Sequence, residues 1–138
     1  MSNIENLMNT RVLITAGPTW TALDRVRVLT SVFSGETGLQ IARKFAALGC
    51  QVTLLMGPGR ANLNRDDRSR MVIKQFFYFE ELEGLLTEHL SKDFFDVIVH
   101  SSAVADYSPR TPFDGKIPSG FQDLNIKLSP TPKWFPRQ

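Results

Sequence analysis

An apolar run from Arg11 to Ala16 ends in the small-residue turn Gly17-Pro18-Thr19, yet no amphipathic helix opens until Phe33-Ser34-Gly35-Glu36-Thr37-Gly38. In α/β units the strand-to-helix connection usually takes about two to six residues. Here Trp20 to Val32 intervenes, long enough to build the wall of a pocket. Small residues at a helix start leave backbone N–H groups bare, and such ends bind phosphate. This pattern predicts a nucleotide-binding α/β domain.

The remaining punctuation extends the reading. Leu39, Ile41, Ala42, Phe45, Ala46 and Leu48 recur at helical spacing, with Ser34 placed to cap the start and Gly49 to stop the end. Gln51 to Met56 reads as a second strand closed by Gly57-Pro58-Gly59, Met71 to Phe77 as a weaker third, and Phe95 to Val99 as a fourth. Phe79 to Leu90 carries Leu82, Leu85, Leu86 and Leu90 on one helical face. Strand, helix, strand, strand, helix, strand implies right-handed crossovers and a three-layer, Rossmann-like, mostly parallel sheet. Pro109 to Gly120 is loop-like, and Leu124 to Leu128 alternates as a C-terminal edge or exchanged strand. The whole of 1–138 is read as one domain, with a flexible 1–10 and a loop-rich extension over 108–138.

Composition narrows the partners. Sixteen Lys and Arg against fourteen Asp and Glu leave a net charge of +2, too balanced to argue for nucleic acid or an acidic membrane. Arg60 to Arg70 holds several arginines interrupted by Asp66 and Asp67 and reads as a solvated loop, with a phosphate-binding patch as the lesser alternative. Cys50 is alone, so a disulfide or a cysteine-rich metal site within the chain is excluded. The first ten residues are too polar for a signal peptide and no apolar run reaches membrane-span length, so the chain reads as cytoplasmic.

In an open sheet of this kind ligands lie beyond the carboxyl ends of the strands. The turn after the first strand, the Ser34–Gly38 helix start and Ser101 to Tyr107 should therefore converge. A nicotinamide site needs G-x-G-x-x-G at that turn and an acidic residue ending the second strand. This chain has Ala16-Gly17-Pro18-Thr19 and Met56-Gly57 instead. Walker and nucleophile-elbow motifs are also missing, and His89 and His100 lack metal-ligand spacing, so both read as structural or surface residues.

Four segments, in order, carry a family resemblance. They are Thr15-Ala16-Gly17-Pro18-Thr19 with Asp24-Arg25-Val26-Arg27; Ser34-Gly35-x-x-Gly38; Ala103-Val104-Ala105-Asp106-Tyr107; and Lys116-Ile117 followed by Leu124 to Leu128 and Thr131-Pro132. Together they resemble the synthetase domain of the bacterial phosphopantothenate–cysteine ligase family, the CTP-using half of the coenzyme A flavoprotein, from Arg11 to Lys133.

The resemblance implies a two-step ligation of 4′-phosphopantothenate with cysteine through an acyl-cytidylate, with CTP as substrate, Mg²⁺ on its phosphates, and a homodimer. It places Lys116 on the nucleotide. Gly17, Ser34, Gly35 and Gly38 fall at the phosphates, Asp106 near the cytidine, and Ala103 and Ala105 offer backbone groups to the base. Arg27 falls at the substrate phosphate. No protein-only metal site is implied, because phosphates supply the oxygens.

Departures fall on the same motifs. Ser31 stands where the family has an asparagine that serves conversion of the acyl-cytidylate, and a hydroxyl cannot reproduce an amide's paired donor and acceptor. Pro118 and Ser119 replace two lysines, and the family domain extends through a further strand and helix beyond the position of Gln138. Two alternatives stay open: a non-catalytic nucleotide-binding or assembly module, and a dinucleotide-binding reductase domain.

Overall fold

Alternation along β1 (Arg11–Ala16) decides the layering of the computed structural model, which describes residues 7–132. Val12, Ile14 and Ala16 face Leu39 and Ala42 of α1 (Glu36–Ala47), joined by Val52, Leu54 and Met56 of β4 (Gln51–Met56). Leu13 faces the other way, into a cluster with Leu55, Phe76, and Leu82 and Leu86 of α3 (Phe79–Lys92). A strand that is apolar on both faces must be covered on both, as parallel strands in α/β folds are. Each leucine so buried contributes roughly 1.5–3 kcal/mol.

The main sheet runs β5 (Val72–Gln75), β4, β1, β6 (Val97–His100), and all three pairings are parallel. The expected three-layer α/β architecture is thus present. The strand order reverses between β1 and β6, the place in open sheets of this kind beyond whose carboxyl ends ligands bind. Inside the long connection after β1 lies a two-residue antiparallel hairpin, β2 (Thr21–Ala22) with β3 (Val28–Leu29). No helix among the described residues is long and apolar enough to cross a membrane.

Three features differ from the sequence reading. Arg60 to Arg70 is not all loop: Arg65–Arg70 forms α2. Asn64 and Asp67 build a reciprocal capping box, and Asp67 also receives both Arg43 Nε, at 2.8 Å, and Nη2, at 2.9 Å. The Arg43 guanidinium holds the Asp67 carboxyl below its ordinary range, and Asp67 in turn raises Arg43.

Secondly, Leu124 to Ile126 is not strand. β8 covers Leu128–Pro130 and pairs antiparallel with β7 (Tyr107–Pro109), forming a ribbon separate from the main sheet. Leu124 and Ile126 alternate without a neighbouring strand, and with Leu128, which opens β8, they stay exposed. Thirdly, Ser34 sits one position before the N-cap, which is Gly35. Its hydroxyl still accepts the Glu36 amide at 3.1 Å. Of the segment expected to be flexible, residues 1–6 lie outside the described residues, as does the tail from 133, while Leu7 packs against the core.

Candidate functional site

The turn after β1, the start of α1 and the end of β4 meet at a junction of glycines. Gly17 has φ 83°, and a Cβ there would stand 3.1 Å from the backbone nitrogen of Gly57. Gly35, with φ 87°, brings its backbone so close that a Cβ would lie 3.2 Å from both Gly17 Cα and Met56 Sδ. A Cβ on Gly38 would collide with that of Ala16. All three glycines are buried, while Glu36 and Thr37 are exposed. The glycines therefore act through backbone packing, setting the helix start, with its orphan amides, against the carboxyl end of β1.

The stretch after β6 joins the same junction. Ala103 N–H donates to Gly17 O at 3.0 Å, and Thr19 N–H to Ala103 O at 3.2 Å. Ala105 N–H donates to Thr19 Oγ1 at 3.2 Å, and its carbonyl accepts Thr131 Oγ1 at 2.6 Å. The N–H and carbonyl groups of both alanines are thus engaged inside the fold. Thr19, fully buried, is the hub that sequence reasoning missed, since its carbonyl also accepts Thr30 Oγ1.

Arg27 and Lys116 lie at a clasp. The buried Asp24 carboxylate accepts the amides of Val26 at 2.9 Å, Arg27 at 2.7 Å and Ile117 at 2.7 Å, and Arg27 Nη1 at 2.6 Å. Burial pushes the Asp24 carboxyl up, but these four donors together outweigh it and hold the group at about 2. Arg27 is thus ion-paired three residues from its own position, and its Nη1 also reaches Ile117 O. Lys116, next to that anchored amide, is exposed. An Asp–x–x–Arg turn was legible in the motif, but the role of Asp24 was not.

Two clefts flank the junction. The larger, ≈ 690 Å³, lies past the ends of β4 and β5, with Ser31 on its wall beside Trp20, Phe33 and Phe77. The smaller, ≈ 230 Å³, lies between α3 and the end of β6, and Ala105, Asp106 and His100 line it. Burial pushes the His100 imidazole below its ordinary value, and its Nδ1 shares a 2.7 Å hydrogen bond with Thr15 Oγ1. The structure therefore gathers Gly17, Ser34, Gly35, Gly38 and Ala103 together. It sets Ser31 in one cleft and Ala105 and Asp106 in another, with Arg27 and Lys116 at the clasp. Lys116 lies outside the linings of both clefts. No group of three or more His, Cys, Asp or Glu side chains among the described residues is arranged to hold a metal ion.

Comparison with known proteins places this architecture. The model of the DNA/pantothenate metabolism flavoprotein C-terminal domain matches residues 7–135. The chain is 33% identical over 121 residues to a cysteine/cysteine sulfinic acid decarboxylase from an unknown prokaryotic organism, covering 88% of this chain and 32% of that protein. It is 33% identical over 133 residues to the coenzyme A biosynthesis bifunctional protein CoaBC of Thermococcus kodakarensis, covering 96% of this chain and 32% of the relative. The crystal structure of the C-terminal domain of a CoaBC protein superposes with a TM-score of 0.72 at 29% identity, covering 94% of this chain and 58% of that one. The chain spans about a third of the length of these curated relatives. With a strand order, a glycine junction and a family model that agree over nearly all its length, the chain belongs to the DNA/pantothenate metabolism flavoprotein C-terminal domain family.

Proposed function

We propose that the chain is a phosphopantothenate–cysteine ligase domain that uses CTP and acts in the cytoplasm. The observation that carries this reading is the buried junction of Gly17, Gly35 and Gly38, which presents the start of α1 at the sheet's switch point in a chain of this family. A carboxylate oxygen of 4′-phosphopantothenate attacks the α-phosphorus of CTP, and the bond to the leaving pyrophosphate breaks. The cysteine amine then attacks the acyl carbon, loses its proton, and CMP departs.

In this scheme the amides of α1 and the Ser34 hydroxyl meet the phosphates, and the Lys116 ammonium neutralises charge that develops on the leaving pyrophosphate. Asp106 lies on the nucleoside side. Ser31, as a hydroxyl at the wall of the large cleft, is the group available for the second step. Mg²⁺ bound to phosphate oxygens and water supplies further charge neutralisation, which suits a site without a carboxylate cluster. The exposed Val32 and Phe33 support a homodimer with its contact beside this segment.

Protection against thermal unfolding tests the nucleotide assignment. CTP with Mg²⁺ raises Tm more than equal ATP or NADPH does; preferential protection by NADPH contradicts it. The second reading, a nucleotide-binding module without turnover, is favoured by Ser31 alone. It is distinguished by CTP protection without CMP formation when acid and cysteine are added.

A further inference from the structure

Five of the nine described arginines are ion-paired; of the other four, Arg65 and Arg110 lie away from the large cleft. Arg11, Arg25, Arg27, Arg43 and Arg70 are each ion-paired with an aspartate, at 2.6–3.2 Å. Arg60 and Arg68 have no side-chain hydrogen bond or ion pair among the described residues, and both line the ≈ 690 Å³ cleft. That lining holds no Asp or Glu, so two arginines line a space with no carboxylate in its wall.

The rest of the wall mixes aromatic and uncharged polar side chains. Trp20 packs on Phe77 with ring centroids 4.9 Å apart, and Trp20 N–H donates to Phe77 O at 2.7 Å, fixing the aromatic side. Gln75 and Asn62 add amides, and Ser31 marks the edge nearest the glycine junction. The volume falls within the roughly 300–1,000 Å³ of small-molecule sites, and the cleft opens beyond the carboxyl ends of β4 and β5, where ligands of open sheets lie. α2 carries Arg68, and the Asp67–Arg43 pair ties that helix to α1.

We infer that this cleft binds the acid substrate by its phosphate: Arg60 and Arg68 clamp the phosphate ester, and the apolar arm lies along Trp20 and Phe77. The carboxylate end then extends past Ser31 towards the glycine junction. Phosphate recognition thereby moves from Arg27, which Asp24 already occupies, to two arginines outside the matched motifs. The ligand class is an elongated organic phosphate ester, and its identification as 4′-phosphopantothenate rests on the proposed ligase function.

Calorimetric titration of the full chain with 4′-phosphopantothenate and with pantothenate tests the assignment. The phosphorylated acid binds at least tenfold tighter, and the R60Q/R68Q double variant loses that margin while CTP binding is unchanged. Arg65→Gln removes an equal charge from α2 outside the cleft and retains the margin. A margin that survives the double substitution overturns the proposal, as does an equal loss in R65Q. If the wild type binds CTP but not 4′-phosphopantothenate, the ligase reading fails. Inorganic phosphate then decides the site separately, by NMR of the arginine Nε–H groups. Phosphate-induced shifts at Arg60 and Arg68 without a matching shift at Arg65 uphold the anion clamp, and their absence overturns it.

Discussion

The Asp24 carboxylate accepts the Ile117 amide at 2.7 Å across 93 positions of sequence, binding the lysine-bearing loop to the segment after β1. In Asp24→Asn one acceptor oxygen becomes an NH₂ donor that faces other donors. The Ile117 amide then exchanges with solvent roughly tenfold faster or more, because a buried charge-assisted bond is lost. Unchanged protection at Ile117 contradicts the clasp.

The same carboxylate gives acid sensitivity of known sign. Its folded-state value of about 2 lies below the ordinary 3.8, so the folded state binds its proton less readily than the unfolded chain. The contribution is complete above pH 3.8 and is lost as pH falls through about 2. The Tm difference between wild type and D24N narrows across that window; a difference independent of pH counts against it.

Gly38→Ala separates helix propensity from packing. On an open helix surface the change stabilises by about 1 kcal/mol. Here the new methyl meets the Ala16 side chain, and overpacking costs roughly 1–3 kcal/mol. Urea unfolding should give a lower midpoint at unchanged m. A raised midpoint would show that α1 does not press on β1 as described.

His100 acts in the same direction at higher pH. Burial places its folded-state value below 6.5, so neutral imidazole is the stable form against Thr15. Its contribution is fully present above pH 6.5 and declines as pH falls through the lowered value. Wild type loses Tm on acidification below 6.5 that His100→Gln does not lose; parallel curves contradict this.

Val32, fully exposed, and Phe33, 65% exposed, form an apolar pair that an isolated chain leaves in water. Light scattering is predicted to give about twice the 15.6 kDa chain mass, falling to the single-chain value in V32S/F33S. A wild-type mass at the single-chain value rejects the homodimer.

Legibility followed apolar periodicity. β1, α1, β4 and α3 could be read because Val12 to Ala16, Leu39 to Ala46 and Leu82 to Leu90 repeat at the period of the element they form. α2 could not, because Arg-Asp-Asp-Arg-Ser-Arg has no apolar face; its one signal is the Asn64–Asp67 capping pair. Leu124 to Ile126 had the strand pattern without a strand to pair with, pairing beginning only at Leu128, and a local pattern does not reveal this. At the site, the meeting of Gly17, Gly35 and Gly38 followed from topology. Arg27 and Arg60 exchanged apparent importance because ion pairing depends on partners that only the fold supplies.

The central claim, activation of a carboxylic acid by CTP at this junction, is tested most directly by pyrophosphate release. The purified chain is incubated with CTP, Mg²⁺ and 4′-phosphopantothenate, first without cysteine and then with it, beside Lys116→Gln. The account predicts release that requires the acid, rises when cysteine is added, and falls at least about 100-fold in K116Q, the scale of losing one charge-stabilising group. No acid-dependent release at concentrations where CTP is bound would contradict it.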